Sequence, residues 1–328
     1  MDKLSESDDI RTSCLIPHDV HVIHPLNGDL LHVLDEHDAL STSNSASKPH
    51  ISTLNDAIRR STVIWQMHGA AVLQISSTVA LKRDADLDIA HISTLNHIRH
   101  HAPSLPIPRT FGVLIDRSRR MYYHFMTYFP GPSLQTHWIH LSDAQKKSVK
   151  EQLEPIFQQL RKVPSPPLEN GRLTWGSGVP RRCIDTRRWE RVAKEEILDE
   201  QVFNDFLTTR DRLGHGPWIQ MVRSFMREDH ACAMTHADLH PRNIVVQIVP
   251  HSENDASDDD LTQKDVKVLG VIDWDKSGWY PEYWEFVKAL NTIGLDDPMQ
   301  DWWQYLPHSV GLWPVEHSLD RMIWRWYG

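Results

Sequence analysis

Two polar segments hold the residues best suited to chemistry. Asp238 and Asn243 lie in the first segment, 235–243, and Asp273 lies in the second, 268–275, directly after an apolar run. Phosphoryl transfer needs an acceptor hydroxyl held in line with the phosphorus atom and a cation that neutralises the phosphate charge. Asp238 is suited to orient the hydroxyl and accept its proton, while Asn243 and Asp273 offer the oxygen ligands that Mg²⁺ prefers. The pattern therefore predicts ATP- and Mg²⁺-dependent phosphate transfer to a hydroxyl group.

Two histidines beside Asp238 leave a second interpretation open. We group His236 with Asp238 as a catalytic-loop residue, although its imidazole is better suited to brace the loop backbone than to perform chemistry. His-x-Asp-x-His could also bind zinc, which would make the chain a zinc-dependent hydrolase that uses His236, Asp238 and His240. No second cluster of His or Cys at ligand spacing accompanies this motif. Phosphate transfer is therefore the preferred interpretation.

Length, charge and cysteine content limit the class of protein. The chain has 328 residues, which is enough for two domains, and a formal net charge of −9. Nucleic-acid binding is disfavoured because it requires clustered Lys and Arg. The three cysteines show no paired spacing, and no apolar run reaches the length of a membrane span or of a signal peptide. We expect a cytoplasmic protein without nucleic-acid or membrane partners, and the sequence sets no oligomeric state.

The first part of the chain is predicted to form a small sheet after an N-terminal extension. Residues 1–50 form the extension, and its small polar segment 41–50 is predicted to be a flexible linker. Between 51 and 130, short β-branched runs separated by turn residues indicate antiparallel strands, with one helix over Ile89–Ile98. Lys82 ends one of these strands, where its ammonium group could reach the α- and β-phosphates of a nucleotide.

Beyond Pro130 the pattern becomes helical. Ser142 followed by Gln145 is typical of a capping box that opens a long amphipathic helix. We therefore predict an α+β, bilobal protein-kinase-like fold. Its small N-terminal antiparallel sheet lobe would cover 51–130, and its larger, mainly helical C-terminal lobe, with the catalytic loop and the metal site, would cover 131–328.

In order and spacing, the polar segments 235–243 and 268–275 resemble those of the aminoglycoside phosphotransferase and choline kinase family. The resemblance is greatest to the fungal proteins that carry this domain. The resemblance covers about residues 60 to 310 and includes the stretch 277–285 after the second motif. It implies a protein-kinase-like small-molecule kinase that uses ATP and Mg²⁺. Its acceptor would be a small-molecule hydroxyl, since family members phosphorylate antibiotics, choline, sugars and other small alcohols.

The resemblance also assigns roles by position. Thr127 and Phe129 would offer a backbone carbonyl and amide to adenine, and Met126 would lie at the back of that pocket. Glu285 would steady the catalytic loop from the following helix. Asp275 joins Glu285 and His240 as a candidate for contact with the substrate or with the catalytic residues.

One position departs from the family pattern. Where the family has a helix glutamate that pairs with the strand lysine, this chain has His91, with Asp88 about one turn earlier. A neutral imidazole cannot anchor Lys82 as a carboxylate does, so either Asp88 substitutes or nucleotide binding is weaker. A catalytically silent pseudokinase or scaffold that only binds nucleotide is therefore the alternative. The intact set of Asp238, Asn243 and Asp273 favours catalysis.

Overall fold

The computed structural model describes residues 9–28, 30, 51–85, 87, 89–167, 173–186, 190–209, 216–250, 264–294 and 296–327. The chain divides into two compact units. Unit 1 comprises Met1–Asp88 and Pro108–Pro130, and unit 2 comprises Ile89–Ile107 and Gly131–Gly328. The predicted linker 41–50 lies outside the described residues.

Unit 1 is built on a six-stranded antiparallel sheet. In chain order its strands are β1 (His21–His24), β2 (Thr62–Met67), β3 (Ala70–Gln74), β4 (Val79–Asp84), β5 (Thr110–Asp116) and β6 (Met121–Thr127). They lie side by side in the order β1-β5-β6-β4-β3-β2. The turn between β2 and β3 places His68 at φ 48° and Gly69 at φ 87°, the positive angles that a two-residue hairpin turn requires.

Some of the described residues before position 51 belong to the core of unit 1. Helix α1 (Ile10–Ser13) is followed by the buried side chains of Cys14 and Ile16, which pack with Leu54 of helix α2 (Ile51–Arg60). The side chain of Asn55 bonds to both backbone groups of Ile16, at 2.7 and 2.9 Å. The described part of the N-terminal segment is therefore a component of the lobe. Sequence periodicity could not indicate this, because the segment is short and the contacts are long-range.

The predicted helix over Ile89–Ile98 is present as α3 (Ala90–His101). It groups with unit 2, although the sequence places it between strands of the first lobe. Leu95 and Ile98 are buried and join the large apolar cluster that contains Trp138 and Phe157. Burial of this apolar face determines the grouping, since burying a Leu or Ile side chain contributes about 1.5–3 kcal/mol.

Unit 2 combines helices with short antiparallel pairs. The predicted capping box is confirmed, because Ser142 and Gln145 bond reciprocally at the start of α4 (Asp143–Arg161). The other elements are α5 (Glu200–Thr208), α6 (Pro217–Phe225), α7 (Trp284–Asn291) and α8 (Pro314–Tyr327), with the strand pairs β7 (Ile184–Thr186) and β8 (Glu190–Val192), β9 (Cys232–Thr235) and β12 (Gly278–Pro281), and β10 (Ile244–Pro250) and β11 (Lys264–Val271). The predicted α+β class, with a sheet unit and a larger, mainly helical unit, is confirmed. Within the described ranges, every helix is too short or too polar to cross a membrane.

Candidate active site

Two strand pairs fix the segment that carries Asp238. Strand β9 leads into this segment with Thr235 opposite Gly278 of β12, and β10 leaves it with Ile244 opposite Val271 of β11. The backbone N–H of Ile272 then donates to the carbonyl of Asn243 at 2.8 Å. A hydrogen bond therefore joins the two polar segments identified in the sequence, and Asp273 directly follows the bonded residue Ile272.

Asn243 is bonded to Asp238 in a way that orients its amide. Asn243 Nδ2 donates to the backbone carbonyl of Asp238 at 2.9 Å and to Asp238 Oδ2 at 2.8 Å. Since the amide nitrogen is committed to Asp238, the amide oxygen Oδ1 is the group that Asn243 could offer to a cation. This donor set suits Mg²⁺, which prefers oxygen ligands.

The carboxylate of Asp238 has a second partner, Arg242. Its Nη2 atom lies 2.6 Å from Oδ1 and 2.8 Å from Oδ2 of Asp238. Sequence reasoning missed this contact. The signal available was a cationic residue four positions after the acidic one, in a loop where that spacing alone does not define a geometry.

Two residues of the site hold left-handed backbone conformations. Ala237 has φ 64° and Asp273 has φ 65°. For a residue with a Cβ atom this region costs about 1–2 kcal/mol, so surrounding bonds must hold it. Such strain concentrates at functional sites, and here it lies on both segments that carry the chemical groups.

Glu285, the second residue of helix α7, binds the start of the loop. Its Oε2 accepts the backbone N–H of His236 at 2.6 Å, and its Oε1 accepts that of Ala237 at 3.2 Å. The side chain is fully buried, and burial raises the pKa of Glu285. The carboxylate therefore acts as a rigid acceptor for two loop N–H groups, one of which belongs to the strained residue Ala237.

Both ring nitrogens of His236 are used by the protein backbone. Nε2 lies 3.0 Å from the carbonyl of Ile272, and Nδ1 accepts the backbone N–H of Asp238 at 3.2 Å. The ring is fully buried and meets the ring of Trp274 edge to face, with centroids 4.5 Å apart. These contacts make Nε2 the donor and Nδ1 the acceptor, an arrangement that braces the loop and leaves no lone pair for a metal.

His240 is also buried. Its Nδ1 accepts the backbone N–H of Arg242 at 3.0 Å, and burial lowers its pKa to about 4. Among the residues that the structure describes, no group of three or more His, Cys, Asp or Glu side chains is arranged to hold a metal ion. Together with the engaged ring of His236, this finding gives the zinc-hydrolase interpretation no support.

Helix α3 contacts the segment after Asp273. Its buried residue His91 places Nε2 3.4 Å from Asp275 Oδ1. The residue that stands in place of the family glutamate thus pairs with an acid two positions beyond Asp273. Asp88, the other candidate partner, lies outside the described residues.

The predicted nucleotide-binding residues lie at the strands of unit 1. Lys82, on β4, is flanked by Val72 of β3 and His124 of β6. Met126 and Thr127 end β6, and the backbone N–H of Thr127 donates to the carbonyl of Arg109 at 3.0 Å. Phe129 follows two residues later and is partly exposed.

Comparison with known proteins gives a family match. The model of the phosphotransferase enzyme family matches residues 55–308. Among curated proteins, none matches the sequence. Solved structures with a similar fold include a thermostable mutant of the aminoglycoside phosphotransferase APH(4)-Ia in a ternary complex with ADP and hygromycin B, at 11% identity and TM-score 0.49, covering 80% of this chain and 83% of that one. Another is the GDP and kanamycin complex of APH(2″)-IIIa, at 13% identity and TM-score 0.48. The match covers 89% of this chain and 86% of that one.

Proposed function

Because the chain belongs to the phosphotransferase enzyme family, we propose that it transfers the γ-phosphate of ATP, with Mg²⁺, to a hydroxyl group of a small molecule. One observation carries this proposal. Asn243 is bonded to Asp238 through its amide nitrogen, and its backbone carbonyl is bonded to Ile272, the residue before Asp273. Hydrogen bonds thereby link the segment of the proposed proton acceptor to the segment of Asp273, and these two segments contain both proposed cation ligands.

Each of these residues has a proposed role. Asp238 orients the acceptor hydroxyl and takes its proton as the new bond to phosphorus forms. Asn243, through Oδ1, and Asp273, through its carboxylate, hold Mg²⁺, which neutralises phosphate charge when bound. His236 and Glu285 keep the loop in its strained conformation and do not touch the reacting atoms. Asp275 lies two residues after Asp273, and its carboxylate contacts His91.

The nucleotide contacts are proposed from family position. Lys82 contributes a point charge to the α- and β-phosphates. Thr127 and Phe129 offer backbone groups to adenine, with Met126 beside them. We also propose a cytoplasmic location, which is in keeping with the three free cysteines, Cys14, Cys183 and Cys232.

A catalytically silent nucleotide-binding protein is the second candidate. The His91 departure favours it, because the imidazole at this position lies 3.4 Å from Asp275 and cannot anchor Lys82 as a carboxylate does. Both the kinase and the silent protein would bind nucleotide, so only an assay of phosphate transfer distinguishes them.

Thermal unfolding with and without MgATP tests nucleotide binding. MgATP at 100 times its dissociation constant adds about 2.7 kcal/mol to the free energy of unfolding. Asp273→Asn should lose the Mg²⁺-dependent part of this gain. Asp229→Asn, at an exposed acid that pairs with Arg227, should keep it. No response of the wild type to MgATP would reject the proposal.

A screen of pooled small alcohols with mass spectrometry tests transfer. The wild type should yield a phosphorylated product only when ATP and Mg²⁺ are both present. Binding of MgATP without product across a broad panel would instead favour the silent protein.

A further inference from the structure

The carboxylate of Asp238 is almost fully occupied by protein donors. Oδ2 accepts from Asn243 Nδ2 and from Arg242 Nη2, and Oδ1 accepts from Arg242 Nη2 alone. A carboxylate offers about four lone-pair sites. Within the described part of the chain, three of them are therefore filled, and the remaining site lies on Oδ1.

Arg242 forms this contact without being buried. The exposed fraction of its side chain is 42%, against 17% for Asp238. An exposed ion pair adds only about 0–1 kcal/mol to stability, so the contact has little value for folding. Its effect is on geometry, because one charge-assisted donor bridges both oxygens of the side chain on which the proposed reaction depends.

We infer that Arg242 is a positioning residue which, together with Asn243, fixes the Asp238 carboxylate so that Oδ1 accepts the proton of the acceptor hydroxyl. In this step the acceptor oxygen bonds to the γ-phosphorus, the bond from that phosphorus to ADP breaks, and the hydroxyl proton passes to Oδ1. The inference rests on the proposed function and adds the oxygen that acts and the residue that selects it.

Single substitutions test the role of Arg242. Arg242→Met should lower kcat about 10- to 100-fold, because a misaligned catalytic group can cost about 100-fold. The KM for ATP should stay within about twofold and the melting temperature should not fall, since the residue is not placed at the nucleotide. Arg242→Lys should recover most of kcat, because a single nitrogen makes both contacts and an ammonium group can replace it.

A double-mutant cycle separates positioning from a general structural effect. Asp238→Ala alone should cost about 10²- to 10⁴-fold in kcat. If Arg242 acts through Asp238, adding Arg242→Met to Asp238→Ala should cost nothing more. Arg227→Met is the matched control, since Arg227 forms a 2.8 Å pair with Asp229 on an exposed surface and should keep the wild-type rate.

The outcomes distinguish this inference from the proposed function. A wild type inactive toward every acceptor would reject both. An active wild type with a fully active Arg242→Met variant would reject only the positioning role. Independent, multiplicative losses in the double variant would also overturn it, because they would show that Arg242 acts on something other than Asp238.

Discussion

Glu285 accepts the backbone N–H of His236 in a 2.6 Å hydrogen bond from a position with no access to solvent. The helix that contributes the glutamate follows Asp273 in sequence, whereas the histidine precedes Asp273. This contact, together with the bond from the Ala237 N–H to the same side chain, ties the loop of Asp238 to the α7 helix. Removing a buried carboxylate that accepts two N–H groups lowers the free energy of unfolding more than removing an exposed one, because the two donors remain buried without an acceptor.

Replacing Glu285 by Gln should destabilise the protein by about 1–3 kcal/mol, because one of the two N–H groups would face an amide donor and remain buried without an acceptor. Urea unfolding measures this change. Glu282→Gln is the control: Glu282 accepts the N–H of Ala231 at 3.1 Å in an exposed setting, and its substitution should stay within about 0.5 kcal/mol of the wild type. Equal effects of the two substitutions would contradict the role given to Glu285.

Ala237 has a backbone conformation that suits glycine. Ala237→Gly should relieve strain of about 1–2 kcal/mol, which offsets the lost methyl burial and the greater freedom of the unfolded chain. The same substitution at Ala233, a buried alanine in strand β9, relieves no strain. Chemical denaturation should therefore show Ala237→Gly to be at least about 1 kcal/mol more stable than Ala233→Gly. If Ala237→Gly were less stable than Ala233→Gly, the claim that the backbone of Ala237 is strained would be wrong.

His240 should make stability depend on pH. Burial lowers its pKa from the ordinary value of 6.5 to about 4 in the folded protein, so the unfolded chain binds the proton more readily. The stabilisation is fully present above about pH 6.5 and is lost as the pH falls toward about 4, by about 2–3 kcal/mol in total.

His240→Asn isolates this contribution. An Asn side chain can keep the acceptor for the N–H of Arg242 but does not titrate. The unfolding free energies of the wild type and the variant, measured between pH 7 and pH 4, should converge or cross as the pH falls. Parallel curves would show that His240 titrates alike in both states.

The sequence was most informative where local chemistry decides the structure. The capping box of Ser142 and Gln145 and the hairpin turn at Gly69 follow from residue preferences over a few positions. Asp238 and Asn243 were selected by their spacing within one polar segment, and the structure shows a hydrogen bond between their side chains.

Long-range packing and side-chain direction could not be predicted in the same way. Cys14 and Ile16 join the core of unit 1 across tens of residues, which no local period encodes. The ion pair of Arg242 with Asp238 depends on rotamers in an irregular loop, and the contact of His91 with Asp275 depends on where a helix packs. Each of these outcomes is decided by tertiary contacts.

The most direct measurement is the fate of an isotopically labelled γ-phosphate of ATP, incubated with Mg²⁺ and an acceptor from the alcohol screen, for the wild type and for Asp238→Asn. Asp238→Asn should bind MgATP as the wild type does, yet form product about 10²- to 10⁴-fold more slowly, because the amide cannot take the hydroxyl proton. Label transferred to the acceptor at the same rate by both proteins would contradict the account.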